Sequence, residues 1–175
     1  PKIDKRILVS ASRKQHIPKF TGIVAPKVLD FTQVEEKSTD GLQMKAVMSP
    51  GEDKLDTLFA LLAALGSEQT LVFCNQREAT ERCVELLQEK GLQSSFFHGG
   101  LDQLAREKTL VQFRNGSISI LVASDLAARG LDIPEVKNVI HFELPSKGTD
   151  FVHRNGRTAR MHAEGTAFVI LYAEE

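Results

Sequence analysis

Five short runs, "TLVFC" (70–74), "SSFFH" (94–98), "ISILVA" (118–123), "VKNVIHF" (136–142) and "TAFVILY" (166–172), carry apolar residues at both odd and even positions. A strand with one wet face alternates apolar and polar residues, so runs of this kind need cover on both faces. Helical periodicity surrounds them. Leu55, Leu58, Phe59, Leu62 and Leu65 fall at i, i+3, i+4, i+7 and i+10, and Ala79, Cys83, Leu86 and Leu87 mark a second inward face. A third helix is expected over roughly 102–114, closed by the "NG" at 115–116. Strands alternating with amphipathic helices give an α/β chain with a parallel sheet between two helical layers. Phe73, Phe96, Phe97 and Phe168 are expected in its core.

Local signals mark the element ends. "SPGE" (49–52) offers a serine cap, a proline at the first helical position and a glutamate three residues after the cap. Asn75 with Glu78 reads as the start of the second helix, and Gly66 and Gly91 as the stops of the first two. "LQMKAVM" (42–48) reads as a strand ahead of them. Upstream, "ILVSAS" (7–12) and "KVLDFTQV" (27–34) read as short strands, and "EEKSTDG" (35–41) as an exposed linker.

The 175 residues, 42% of them hydrophobic, suffice for one α/β core with attached chain. A formal charge of −1 gives no global attraction to nucleic acid, so a polyanion must be met by a local patch. Cys74 and Cys83 have no metal-ligand spacing and read as reduced thiols, which favours a cytoplasmic location. His98, His141 and His162 read as structural, and no metal site is expected. No apolar stretch reaches the roughly 18 residues of a membrane span, and the first residues lack signal-peptide order.

Ligands of a parallel sheet gather where strands end. The loops after the strands are "NQ", "GGLDQLAR", "SDLAARGLDI" and, beyond a short helical stretch, "HRNGRTAR" (153–160). The last places arginines at i, i+3 and i+6 with no acid or nucleophile beside them. Alone, such a row would read as a solvated helix face.

Together, "LVFCNQ" (71–76), "HGGLDQLAR" (98–106), "VASDLAARGLDI" (122–133) and "HRNGRTAR" resemble, in order and spacing, the successive motifs of the second RecA-like domain of DEAD-box ATP-dependent RNA helicases. The resemblance implies a three-layer α/β/α RecA-like domain with a mostly parallel central sheet over residues 42–175. "ILVSAS" is similar to the Ser-Ala-Thr motif of the family's first domain. Residues 1–34 are therefore expected to be a remnant of that domain, and 35–41 the linker. A strand stripped of its sheet invites pairing, so residues 1–34 are expected either to be recruited by another chain, as in a strand-exchanged dimer, or to pack irregularly.

By the same resemblance, Arg157 and Arg160 lie against the γ-phosphate of ATP, Asp132 meets the ribose, and His153 relays to the first domain. Guanidinium suits that task because its forked, permanent charge matches phosphoryl oxygens. Arg154 is expected to pair with Asp125 in a structural role. Gly99, Gln103, Arg106, Ser124, Arg129 and Gly130 match the RNA-contacting positions, which bind the sugar-phosphate backbone without base readout. Glycine at 99, 100 and 130 would let a phosphate approach the backbone and would tolerate positive φ. No G-x-x-x-x-G-K-[ST] or Asp-Glu-Ala-Asp stretch is present, so the phosphate loop and the Mg²⁺ ligands are expected on the first domain, and this chain alone is expected to be inactive. Two other readings are a non-catalytic RNA-binding module and a related DNA translocase. Two departures from the family's "HRIGRTGR" stand out: Asn155 replaces an apolar residue and Ala159 a glycine.

Overall fold

The computed structural model describes Gly22 and residues 41–128, 135–159 and 164–174. The chain divides into two units, Pro1–Ser38 and Thr39–Glu175, and the elements below belong to the second. The expected strands at 7–12 and 27–34, with the pairing expected of them, lie outside the described residues, as do Arg129, Gly130, Asp132, Arg160 and His162.

Among the described residues eleven elements follow in order: β1 (Leu42–Met48), α1 (Leu55–Leu65), β2 (Thr70–Cys74), α2 (Arg77–Glu89), β3 (Ser94–Phe97), α3 (Gln103–Arg114), β4 (Ile120–Ser124), α4 (Asp125–Ala128), β5 (Asn138–His141), α5 (Gly148–Asn155) and β6 (Gly165–Leu171). The six strands form one sheet in the order β1-β6-β5-β2-β4-β3. Every pairing is parallel, so the sheet is stricter than the mostly parallel one expected.

Two-sided burial explains the apolar runs. Val72 pairs with both Val122 and Ile140, so these three share a face. They pack with Leu58 and Leu62 of α1 and Cys83, Val84 and Leu87 of α2. The alternate residues Leu71, Phe73, Leu121 and Val139 meet Leu110 and Phe113 of α3 and the alanines of α4 on the opposite face. β2, β4 and β5 are buried along their whole length because each supplies both cores. Phe73, Phe97 and Phe168 are buried and Phe96 packs against the core, as expected. Cys74 and Cys83 are free and buried. The hydrogen bond to Cys83, then burial, hold the Cys74 thiol well above its ordinary pKa, so it is inert at neutral pH.

The helix starts differ from the local signals. Ser49 does not cap α1: its hydroxyl accepts from Thr57, and Asp53 Oδ1 accepts from Leu55 N at 3.0 Å. Lys54 decides this, because its buried ammonium donates to Ile170 O (3.0 Å) and sits over Tyr172, pinning the chain to β6 before the helix can begin. Asn75 does not open α2, whose cap residue is Gln76 with no side-chain bond. At α3 the local rule holds, with Asp102 Oδ1 accepting from Ala105 N. Gly66 and Gly91 end their helices at φ +65° and +86°.

The topology positions the site. From β2 the chain runs outward to β3, returns to β4 beside β2, then crosses to β5 on β2's other flank. The chain leaving β2 runs towards β3 and the chain leaving β5 runs the opposite way towards β6, so these connections diverge and leave a crevice between the carboxyl ends of β2 and β5. Phe113→Ala at the base of the second core should cost about 3–5 kcal/mol. Val111→Ala on the exposed side of the same helix should cost less than about 0.5 kcal/mol. Urea midpoints of the two variants check the contrast.

Candidate functional site

Arg154, on the last turn of α5, is 1% exposed, which a guanidinium tolerates only if its charge and donors are met. Nε and Nη2 donate to Asp125 Oδ1 and Oδ2 at 2.6 and 2.7 Å, a bidentate pair. Nη2 also donates to Asn75 Oδ1 (2.7 Å) and Nη1 to Glu143 O (2.6 Å), so four N–H groups are bonded. The guanidinium lies over Phe73, 5.0 Å from the ring centre. Thus β2, α4, the loop after β5 and α5 all meet at one cation. The expected Arg154–Asp125 pair is present. Asn75 and Glu143 carry no sequence signal for this role; Asn75 resembled a cap, but its amide is engaged by Leu144 O and Arg154 instead.

Asn155 is buried beside it and bonds His141 Nε2 through Oδ1 at 2.7 Å. His141 is fully buried at the end of β5 and stacks on Phe151, 4.4 Å between ring centres. The polar residue at an apolar position of the motif thus has a polar partner waiting in the core. Burial is the main reason that His141 is held down to about 4; the bond to Asn155 opposes it and the Arg154 charge reinforces it. Beyond α5, Ala159 adopts φ +52°, the left-handed conformation a glycine would take at a lower cost. Thr158 stabilises the turn, its hydroxyl donating to Val136 O at 2.7 Å.

A small pocket at this end of the sheet is lined by Phe73, Asp125, Ala128, His153, Arg154 and Arg157. His153 is exposed and Arg157 half-buried, so both expected site residues face one concavity floored by the Arg154 pair. The other expected residues that are described lie one and two strands further along. Ser124 ends β4 and is buried. Gly99 is exposed in the turn after β3, and Gln103 is exposed on the first turn of α3 with its amide on Glu107 (2.7 Å). Arg106 stacks on Phe97, 4.9 Å from the ring centre. Neither Gly99 nor Gly100 has positive φ, so the conformational reason expected for them does not apply. Gly99 is open, whereas a Cβ on Gly100 would stand 2.6 Å from Arg77 Nη1.

Asp125→Ala should strand the buried Arg154 charge and cost about 3–5 kcal/mol. Asp125→Leu combined with Arg154→Met should cost less than the sum of its single variants in a urea double-mutant cycle. His141 binds a proton less readily in the folded chain than in the unfolded one. Stability from this group is therefore complete above about pH 6.5 and declines as pH falls towards 4, by up to about 3 kcal/mol. His141→Asn should remove most of that acid-dependent loss, measured by urea unfolding at pH 7 and pH 4.5.

Residues 53–162 match the family model described as the helicase conserved C-terminal domain. The chain is similar to DEAD-box ATP-dependent RNA helicase 21 of Oryza sativa subsp. japonica, 37% identical over 79% of this chain and 19% of that protein. It is 31% identical to the ATP-dependent RNA helicase eIF4A of Chaetomium globosum over 100% of this chain and 45% of that protein. The chain thus spans less than half the length of either relative. A solved structure of S. cerevisiae Dbp5 bound to RNA and ADP BeF3 superposes with a TM-score of 0.67 and 26% identity, covering 74% of this chain and 35% of that one. With the motifs in order along one sheet edge and the sheet all parallel, the chain belongs to the helicase C-terminal domain family, as the second RecA-like domain of a DEAD-box RNA helicase.

Proposed function

We propose that the chain supplies one half of a split ATPase site and part of an RNA track to an ATP-dependent RNA helicase that unwinds or remodels RNA. Residues 42–175 form the second domain, 35–41 the linker, and 1–34 part of the first domain; the match to the Chaetomium relative over the whole chain supports that division. ATP and Mg²⁺ are held chiefly by the first domain. Arg157 and Arg160 meet the γ-phosphate, Asp132 the ribose, and His153 the first domain. Gly99, Gln103, Arg106, Ser124, Arg129 and Gly130 hold the RNA backbone.

The observation that carries this reading is the shared pocket of His153 and Arg157 above a buried arginine–carboxylate pair. Phosphoryl transfer builds charge on equatorial oxygens, and a donor aimed there is effective when its support need not reorganise. Arg154 provides the support and keeps its own charge on Asp125, while Arg157 lies three residues further along, at the rim. Domain closure over ATP and RNA then completes the site. The Dbp5 structure with RNA and ADP BeF3 favours these ligands over DNA.

In the protein carrying both domains, Arg157→Ala should lower the kcat of RNA-stimulated ATP hydrolysis by about 10³-fold or more, with a smaller change in KM. Arg157→Lys should not restore it. Turnover equal to wild type in both variants would refute the assignment. The chain by itself should show no RNA-stimulated hydrolysis.

A further inference from the structure

Gly165 opens β6 and has no part in the function assigned so far, yet its missing side chain decides where the arginine-bearing turn lies. Its φ is not positive, so glycine is not there for backbone freedom. Space is the reason. A Cβ at Gly165 would overlap Thr158 Oγ1 and stand 2.8 Å from Ala159 N. The turn that follows α5 therefore rests directly on the backbone of the sheet, with no side chain between them to give way. The seat itself is fixed, because β6 is paired on both sides, by β1 and by β5. Gly165 N adds a bond to Gly41 O at 2.8 Å.

Further bonds hold the turn on that seat. Thr158, 2% exposed, shares its hydroxyl proton between Val136 O (2.7 Å) and Lys137 O (3.2 Å). Val136 N in return donates to Arg157 O at 3.0 Å, and Lys137 O also accepts from Thr166 N at 3.0 Å, which ties this segment to β6. Arg157 thus enters the pocket it shares with His153 from a backbone bonded at its own carbonyl and seated on Gly165 through the next two residues. The left-handed backbone of Ala159, at φ +52°, persists because these surroundings over-determine it. A long side chain can be aimed only from a fixed Cα, and a donor displaced by about 1 Å from a reacting group loses much of its effect. We propose that Gly165 is a positioning residue for the split ATPase site: its bare Cα sets where the arginine turn lies and so where the Arg157 guanidinium stands. This rests on the reading of Arg157 above and adds to it a buried residue that acts through its neighbour.

The test uses the protein carrying both domains. ATP hydrolysis is measured at saturating oligouridine, and the affinity for fluorescent oligouridine is measured with a non-hydrolysable ATP analogue. Gly165→Ala should lower kcat by about 10- to 100-fold and leave the KM for ATP and the RNA affinity within about twofold of wild type. Thr158→Val, which keeps the side-chain shape but removes the hydroxyl, should lower kcat in the same way, and Thr158→Ser should retain wild-type turnover. Thermal melting shows whether each variant is folded. Wild-type kcat in a folded Gly165→Ala protein, or an equal loss of turnover and RNA affinity, would overturn the inference and leave the Arg157 assignment standing. Should Gly165→Ala not fold, equal turnover of Thr158→Val and Thr158→Ser overturns it instead. Wild-type turnover in Arg157→Ala would remove both the inference and the reading beneath it.

Discussion

A single buried guanidinium organises the end of this domain that carries the candidate site. Desolvating Arg154 is costly, and the cost is offset only while Asp125, Asn75 and the Glu143 carbonyl stand where its planar fork requires them. Those partners come from separate strand ends, so the charge makes the geometry of one segment a condition on the others. His153 precedes Arg154 directly and Arg157 follows one helical turn later. Their positions are inherited from a neighbour whose own charge is fully engaged.

That arrangement depends on the sheet beneath it. A parallel sheet collects every strand's carboxyl end on one edge, and the opposite directions taken by the chain after β2 and after β5 open that edge into a crevice. Burial of β2, β4 and β5 on both faces leaves them little freedom to shift. The crevice therefore has a rigid floor, and what varies lies in the loops above it.

The two departures in the arginine-rich stretch are absorbed by different physics. Asn155 would be an unmet amide in an apolar setting, but His141 supplies the bond, and Phe151 covers the pair. Ala159 keeps the left-handed backbone that a glycine would adopt more cheaply, and the bond from Thr158 to Val136 holds the turn in place. Similar logic governs Gly100, whose missing side chain leaves room for Arg77.

Element type, element order and sheet class were legible in the chain, because periodicity and two-sided apolar runs are properties of a window of a dozen residues. So was the gathering of the unusual motifs on one edge, which follows from parallel strands alone, and the Arg154–Asp125 pair came through resemblance. Tertiary structure alone decided that Asn75 binds an arginine 79 residues away, where local pattern made it a helix cap. It also decided that Asp53 and not Ser49 accepts from the first N–H of α1, that Asn155 finds His141, and that Gly100 leaves room for Arg77. The reason is common to all of these: a polar group takes whichever partner the fold brings within reach, and that depends on strand order, which no local window contains.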